Sequence, residues 1–201
     1  PLMAMRMARP ALLVDINGIG ELTGIADGPN QLVIKSCTCQ AQALASELVH
    51  DRLPLLARAL RFVGHRQTRN RGTIGGSLAN ADPSAEISLV AVTLDAGMTA
   101  EDASGQRQIT AGDFFVSAMM TSLAEDECLT EIAFPIWTGT GTGCGFHEVS
   151  IRDSDFALAA AAAQVELDHE RTTSGRLPCP WVRAPSAHSL PRQGAPKARC
   201  W

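Results

Sequence analysis

Apolar residues along the chain fall into short blocks with two different periods, and those blocks predict a mixed fold. Residues 31–36 (QLVIKS) read as a strand, preceded by the turn sequence Asp27-Gly28-Pro29-Asn30. From Thr38 a helix is expected, with Leu44 and Leu48 one turn apart. After Pro54 the positions Leu56, Ala59, Leu60 and Val63 follow the i, i+3, i+4, i+7 rule, so a second helix should end near Gly64. Residues 65–72 then form a loop. Asp82-Pro83 has the form of a helix start, with Asp as N-cap and Pro in the first turn, and Ile87, Val90, Ala91 and Leu94 would make one apolar face.

Farther along, strands are expected at residues 98–101, 106–110 and 129–134. The glycine-rich loop TGTGTGCGF leads into another at 146–150. The run FALAAAAAQVEL, residues 156–167, is helical by alanine's propensity, with a small-residue strand as the alternative that tertiary context would impose. An early strand is expected at residues 11–16. Mixed strands and helices without internal repeats indicate an α+β protein, with a second domain beginning near Gly145.

Composition narrows the class. The chain has 201 residues, 45% of them hydrophobic, which suffices for a core. Aromatics amount to 4% with no tyrosine, which argues against a base-stacking nucleic-acid platform, and the net charge of −4 exerts no global pull on nucleic acid or anionic lipid. No apolar run is long enough to span a bilayer, and the expected location is the cytoplasm. The six cysteines (Cys37, Cys39, Cys128, Cys144, Cys179, Cys200) are unclustered and read as reduced thiols. Cys37-x-Cys39 lacks the second pair that a structural metal site needs.

Charge is divided unevenly. Residues 1–168 hold 20 acidic against 11 basic side chains, whereas residues 169–201 hold one acid and six bases, together with five prolines. That tail is expected to be disordered or translated out of frame, with an arm for an acidic partner as the functional alternative. The abrupt start on a strand-like segment raises the expectation of a missing N-terminal piece.

The candidate chemistry centres on residues 73–77, TIGGS. Adjacent glycines let a ligand approach the peptide N–H groups directly, and successive amides in such a turn form a nest that suits phosphate oxygens. Thr73, Ser77 and Asn80 add hydrogen-bonding side chains. The motif is neither a P-loop nor a G-x-G-x-x-G fingerprint, so the residues alone leave phosphate or dinucleotide binding open beside a tight structural turn.

The longer string VGHRQTRNRGTIGGSLANADPSAEI resembles the signature of the FAD-binding medium subunits of molybdenum hydroxylases, the carbon monoxide dehydrogenase and xanthine dehydrogenase family. MRMARPALLVDI, DFFVSAMMTSLAEDECLTEIAFP and GFHEVSIRDSDFALAAAA extend the resemblance from Pro1 to about Asp168.

It implies an α+β FAD-binding domain of the two-subdomain (PCMH-type) kind at residues 1–140, lacking its N-terminal subdomain. The start of a small C-terminal α+β domain would follow at 141–168, and the atypical tail at 169–201. The implied cofactor is FAD, bound through Thr73, Ile74, Gly75, Gly76, Ser77, Asn80, Glu86, Leu129 and His147, the last standing where some relatives carry lysine. Arg66, Arg69 and Arg71 are candidates to neutralise the diphosphate.

The implied function is electron transfer from iron–sulfur clusters to an external acceptor. The implied partners are an iron–sulfur small subunit and a molybdenum-cofactor large subunit. No residue of this chain is expected to act as a general acid or base. The alternatives are a subunit-docking module without flavin and a generic phosphate-ligand domain.

Overall fold

The computed structural model describes Met3, Arg6 and residues 8–139, 141–166 and 181–183. In chain order the elements begin with β1 (Ile25–Asp27), β2 (Gln31–Lys35), α1 (Gln40–Ala45), α2 (Glu47–Arg52), α3 (Pro54–Ala59), α4 (Arg66–Arg71), α5 (Ile74–Asn80) and α6 (Glu86–Thr93). They continue with β3 (Gly97–Asp102), β4 (Gly105–Thr110), α7 (Ala111–Phe114), β5 (Phe115–Ser117), β6 (Met120–Thr121), β7 (Cys128–Pro135), β8 (Thr142–Ser150), β9 (Ala157–Glu166) and β10 (Trp181–Arg183).

The main sheet has the order β1-β2-β7-β3-β4, every pair antiparallel. Period-two alternation sets its register. Leu32 stands opposite Phe134 and Ile34 opposite Ile132, while Met98 flanks Ile132 from the other side. All five are fully buried, so a one-residue slip would carry the row into solvent. Lys35 and Glu131 form an ion pair across the β2–β7 edge of this row. Helices α3, α5 and α6 cover the buried face through Leu55, Leu56, Ile74, Leu78, Ile87 and Val90.

A second sheet, β10-β9-β8, is also antiparallel. Hairpin β8–β9 packs on α3 and α6, and its inward Ala157, Ala160 and Ala162 join the same core as the main sheet. Phe146 meets Phe62 at 5.2 Å between ring centroids. Of residues 169–201, only the backbone of Trp181–Arg183 is described, paired with β9; the remainder of that tail lies outside the described residues.

Several local expectations are corrected. Within the run expected as a helix, Ala157–Glu166 is strand, and Leu167 lies outside the described residues. Ala157–Glu166 pairs along its whole length with β8, and alternate alanines are buried, so tertiary pairing overrides alanine's helical propensity. The helix expected from Thr38 breaks at Ser46, which ends α1 and begins α2, so Leu44 and Leu48 share no helix. Residues 65–72 contain α4 rather than a plain loop.

Helix α6 starts at Glu86, not at Asp82. The Asp82 carboxylate instead accepts from the Ser84 amide at 2.9 Å and the Ser84 hydroxyl at 2.6 Å, closing a side-chain turn. Residues 11–16 pair with no strand, and the glycine-rich stretch is strand from Thr142 onward. The strands expected at 31–36, 98–101, 106–110, 129–134 and 146–150 all appear within a few residues of their expected limits.

Helix α5 lies against β2 and β7 because Gly75 has no side chain. A Cβ at Gly75 would stand 2.4 Å from the Ser36 Cβ and 2.8 Å from its carbonyl oxygen. Both close contacts are with backbone or the first side-chain carbon, so no rotamer change relieves them. Replacing Gly75 by Ala should therefore cost about 1–3 kcal/mol of overpacking strain. Gly76→Ala would set its Cβ 2.7 Å from the Thr73 hydroxyl, a side-chain end that can turn away with loss of the cap, so it should cost less, about 1 kcal/mol. Chemical denaturation of the two variants checks the contrast.

Candidate functional site

The short helix α5 has two faces. Ile74, Gly75 and Leu78 are buried. Thr73, Gly76, Ser77 and Asn80, at i, i+3, i+4 and i+7, form a polar stripe on the opposite side. Thr73 is the N-cap, and its hydroxyl oxygen accepts from the Gly76 amide at 3.0 Å. Ala81 ends the helix in the left-handed region at φ 48°, and its carbonyl accepts from the Met119 amide at 2.8 Å.

The expected nest of bare amides at Gly75 and Gly76 is not what the fold builds. The Ile74 amide donates to the Thr38 carbonyl at 2.9 Å, and the Gly75 amide donates to the Ser36 carbonyl at 2.8 Å. The Gly76 amide is taken by Thr73, and that of Ser77 donates to the Thr73 carbonyl at 3.2 Å. The amides of residues 74–76, which have no partner inside α5, are thus engaged by the rest of the chain and the cap, and Ser77 makes the first intrahelical bond. The first glycine serves packing, and the second leaves bare, exposed backbone in the middle of the stripe.

Donors for a ligand nonetheless remain. The Thr73 hydroxyl accepts one bond and keeps its proton for another. No hydrogen bond among the described residues engages the Ser77 hydroxyl or the Asn80 carboxamide. The donor set that fits phosphate oxygens is therefore made of side chains around Gly76 rather than of a backbone nest.

The segment leading into this cap is held from below by Gln40. Its amide donates to the Gly72 carbonyl at 2.8 Å and its side-chain nitrogen to the Thr73 carbonyl at 3.4 Å. Its Oε1 is buried without a partner, 2.9 Å from where a Cβ at Gly72 would sit. Among the three arginines, Arg69 is structural. Its guanidinium donates to the carbonyls of Val63 at 2.9 Å and Gly64 at 2.6 Å. Arg66 and Arg71 are exposed on α4, the helix that precedes the stripe in the chain.

The other expected site residues are spread more widely. Leu129 is a core residue of β7, opposite Ala100 of β3. His147 is exposed on the outer face of β8, opposite Ala161. Glu86, in the first turn of α6, is only 9% exposed. Burial pushes its carboxyl up to about 7, with the Glu148 and Asp82 carboxylates adding to the rise and its own backbone amide opposing it.

Glu148 was not expected from the sequence. It points inward from β8, 8% exposed, with Oε2 lacking a hydrogen-bond partner among the described residues. Burial pushes its carboxyl up, and His147 pulls it back. The available signal was the alternation Cys144, Phe146, Glu148, which puts a carboxylate on the apolar side of a strand. Beside it, Pro83, Ser84, Ala85 and Leu89 face Ala157, Ala159 and Ala160 across a shallow depression.

The family described as the FAD binding domain in molybdopterin dehydrogenase matches residues 1–137. The 6-hydroxypseudooxynicotine dehydrogenase complex subunit alpha of Paenarthrobacter nicotinovorans is 39% identical over 170 residues, 85% of this chain and 57% of that protein. The carbon monoxide dehydrogenase medium chain of Hydrogenophaga pseudoflava is 36% identical over 162 residues, 81% of this chain and 56% of its own.

A solved structure of carbon monoxide dehydrogenase from Hydrogenophaga pseudoflava, in a form lacking the Mo-pyranopterin moiety, superposes with a TM-score of 0.84 at 34% identity. The match covers 88% of this chain and 61% of that one. The chain thus spans less than two thirds of each relative's length.

The Glu86 carboxyl makes stability depend on pH. Its folded value near 7 lies above the carboxyl's ordinary 4.5, so between those limits the folded chain binds more protons than the unfolded one. Stability should fall as pH rises from about 5 through 7 and level off above. Thermal melts of the protein against Glu86→Gln check this: the variant should lose most of the slope.

Proposed function

We propose a function from one premise: this chain belongs to the family of FAD-binding domains of molybdopterin dehydrogenases. On it, the protein is an oxidoreductase component, the flavoprotein part of a molybdenum-containing dehydrogenase or hydroxylase in the cytoplasm. It holds FAD noncovalently and assembles with an iron–sulfur subunit and a molybdenum-cofactor subunit. The relatives are a complex subunit alpha and a medium chain, which supports assembly into a multi-subunit complex. Among the described residues, no helix is long and apolar enough to cross a membrane.

The observation that carries this reading is the stripe of Thr73, Gly76, Ser77 and Asn80, which presents unspent hydroxyl and amide donors around exposed backbone. The residues of the stripe would hold FAD, which would supply redox chemistry between the iron–sulfur clusters and an external acceptor. The chain's own task is binding and electrostatics. Thr73, Ser77 and Asn80 donate to phosphate oxygens, Arg66 and Arg71 offset the diphosphate charge, and Gly76 keeps the approach clear. Ile74 and Gly75 serve the site by seating α5 on the sheet. Leu129 and His147 belong to the site through the family resemblance rather than through the stripe.

A second reading, a docking module without flavin, draws on the engagement of the Gly75 and Gly76 amides within the chain. FAD titration of the purified protein, followed by quenching of flavin fluorescence, separates the two. Saturable one-to-one binding is expected, and Ser77→Ala or Asn80→Ala should each weaken it roughly five- to tenfold through one lost hydrogen bond. A colourless protein that captures an iron–sulfur subunit yet never saturates with FAD would establish the docking reading instead.

A further inference from the structure

Beneath the residue that opens the stripe lies a buried carboxamide. Gln40 occupies the first position of α1 and is only 5% exposed. Residues 38–40 run against residues 72–74 in a short antiparallel contact. Cys39 bridges Thr73, the Gln40 amide donates to the Gly72 carbonyl at 2.8 Å, and the Ile74 amide donates to the Thr38 carbonyl at 2.9 Å.

The Gln40 side chain adds a second hold on the same segment. Its Nε2 donates to the Thr73 carbonyl at 3.4 Å, a long bond to an oxygen that also accepts from the Ser77 amide at 3.2 Å. A carbonyl has two lone pairs, so both donors can share it. Gly72 makes room for this arrangement. A Cβ there would stand 2.9 Å from Oε1 and 3.0 Å from both Cδ and Nε2 of Gln40.

An amide at this place is costly. Oε1 is buried with no hydrogen-bond partner among the described residues, and an acceptor left unmade in the interior lowers stability. Packing alone favours an unbranched apolar side chain such as methionine. What the amide adds is its grip on residue 73. The Thr73 hydroxyl has two duties at once, since its oxygen accepts from the Gly76 amide at 3.0 Å while its proton is left for a ligand. Both directions hold only if the backbone of residue 73 is fixed, and its carbonyl is the point that Gln40 holds.

We propose that Gln40 is a positioning residue for the FAD site: by holding the Thr73 carbonyl from the protein side, it aims the Thr73 hydroxyl at the phosphate oxygens of the cofactor. Being buried, Gln40 acts through Thr73 and does not touch FAD. The inference rests on the flavin reading above.

The test is FAD titration of the full chain, read by flavin fluorescence, with thermal melts confirming that each variant is folded. Gln40→Met should bind FAD about fivefold more weakly than the wild type. On a Thr73→Val background, where no hydroxyl remains to be aimed, the same substitution should cost less than about twofold. On an Asn80→Ala background, about two helical turns away, it should again cost about fivefold. Gly72→Ala reaches the contact from the other side by displacing the carboxamide, and should follow the same pattern; it decides the matter if Gln40→Met does not fold. Wild-type affinity in the folded variant would overturn the proposal. So would an equal loss on both backgrounds, which is what a general loosening of the fold produces. Either result leaves the flavin reading standing. Absence of FAD binding by the wild type would overturn that reading, and this inference with it.

Discussion

Everything in the candidate site depends on how closely α5 approaches β2 at Gly75. The Gly75 amide reaches the Ser36 carbonyl at 2.8 Å, and the glycine's missing Cβ is the space that Ser36 occupies. That contact fixes the rotation of α5 about its own axis. With Ile74 and Leu78 turned into the core, Thr73, Gly76, Ser77 and Asn80 must turn out. The polar stripe is thus a consequence of packing. A larger residue at position 75 would lift the helix and rotate the donors together.

The two glycines therefore divide two jobs that look like one in the sequence. A glycine pair beside hydroxyl residues suggests backbone amides offered to an anion, and here that suggestion misplaces the donors. The amides of residues 74–77 are taken by Thr38, Ser36 and Thr73, because an α-helix start beside a sheet edge satisfies its orphan N–H groups from the nearest carbonyls. What remains for a ligand comes from side chains. This arrangement makes the site sensitive to single side-chain substitutions in a way that a backbone nest is not.

The same distinction separates what was legible in the sequence from what was not. The five expected strands were readable as short segments between turn and loop residues, and the fully buried Leu32, Ile34, Met98, Ile132 and Phe134 come from three of them. Residues 157–166 were misread because alanine carries no face of its own; pairing with β8 decides which alanines are inside. Helix α4 was missed since Arg66–Arg71 contains no apolar residue, and Arg69 ties it down through the carbonyls of Val63 and Gly64. Asp82 reads as a helix cap in sequence, but Ser84 two residues on captures its carboxylate first. Glu86 was singled out by family resemblance. Its burial, and the presence of Glu148 behind it, depended on a strand from elsewhere in the chain.

These buried acids also bear on how such a domain is held together. The hairpin β8–β9 packs against α3 and α6, so it shares one core with the main sheet, yet it brings Glu148 into that core without a partner. Apolar burial by Phe146, Ala160 and Ala162 offsets the cost of the carboxylate, whose burial favours the neutral acid. An apolar residue at position 148 would serve packing better. The hairpin thus closes the core over α3 and α6 while burying one acid in it.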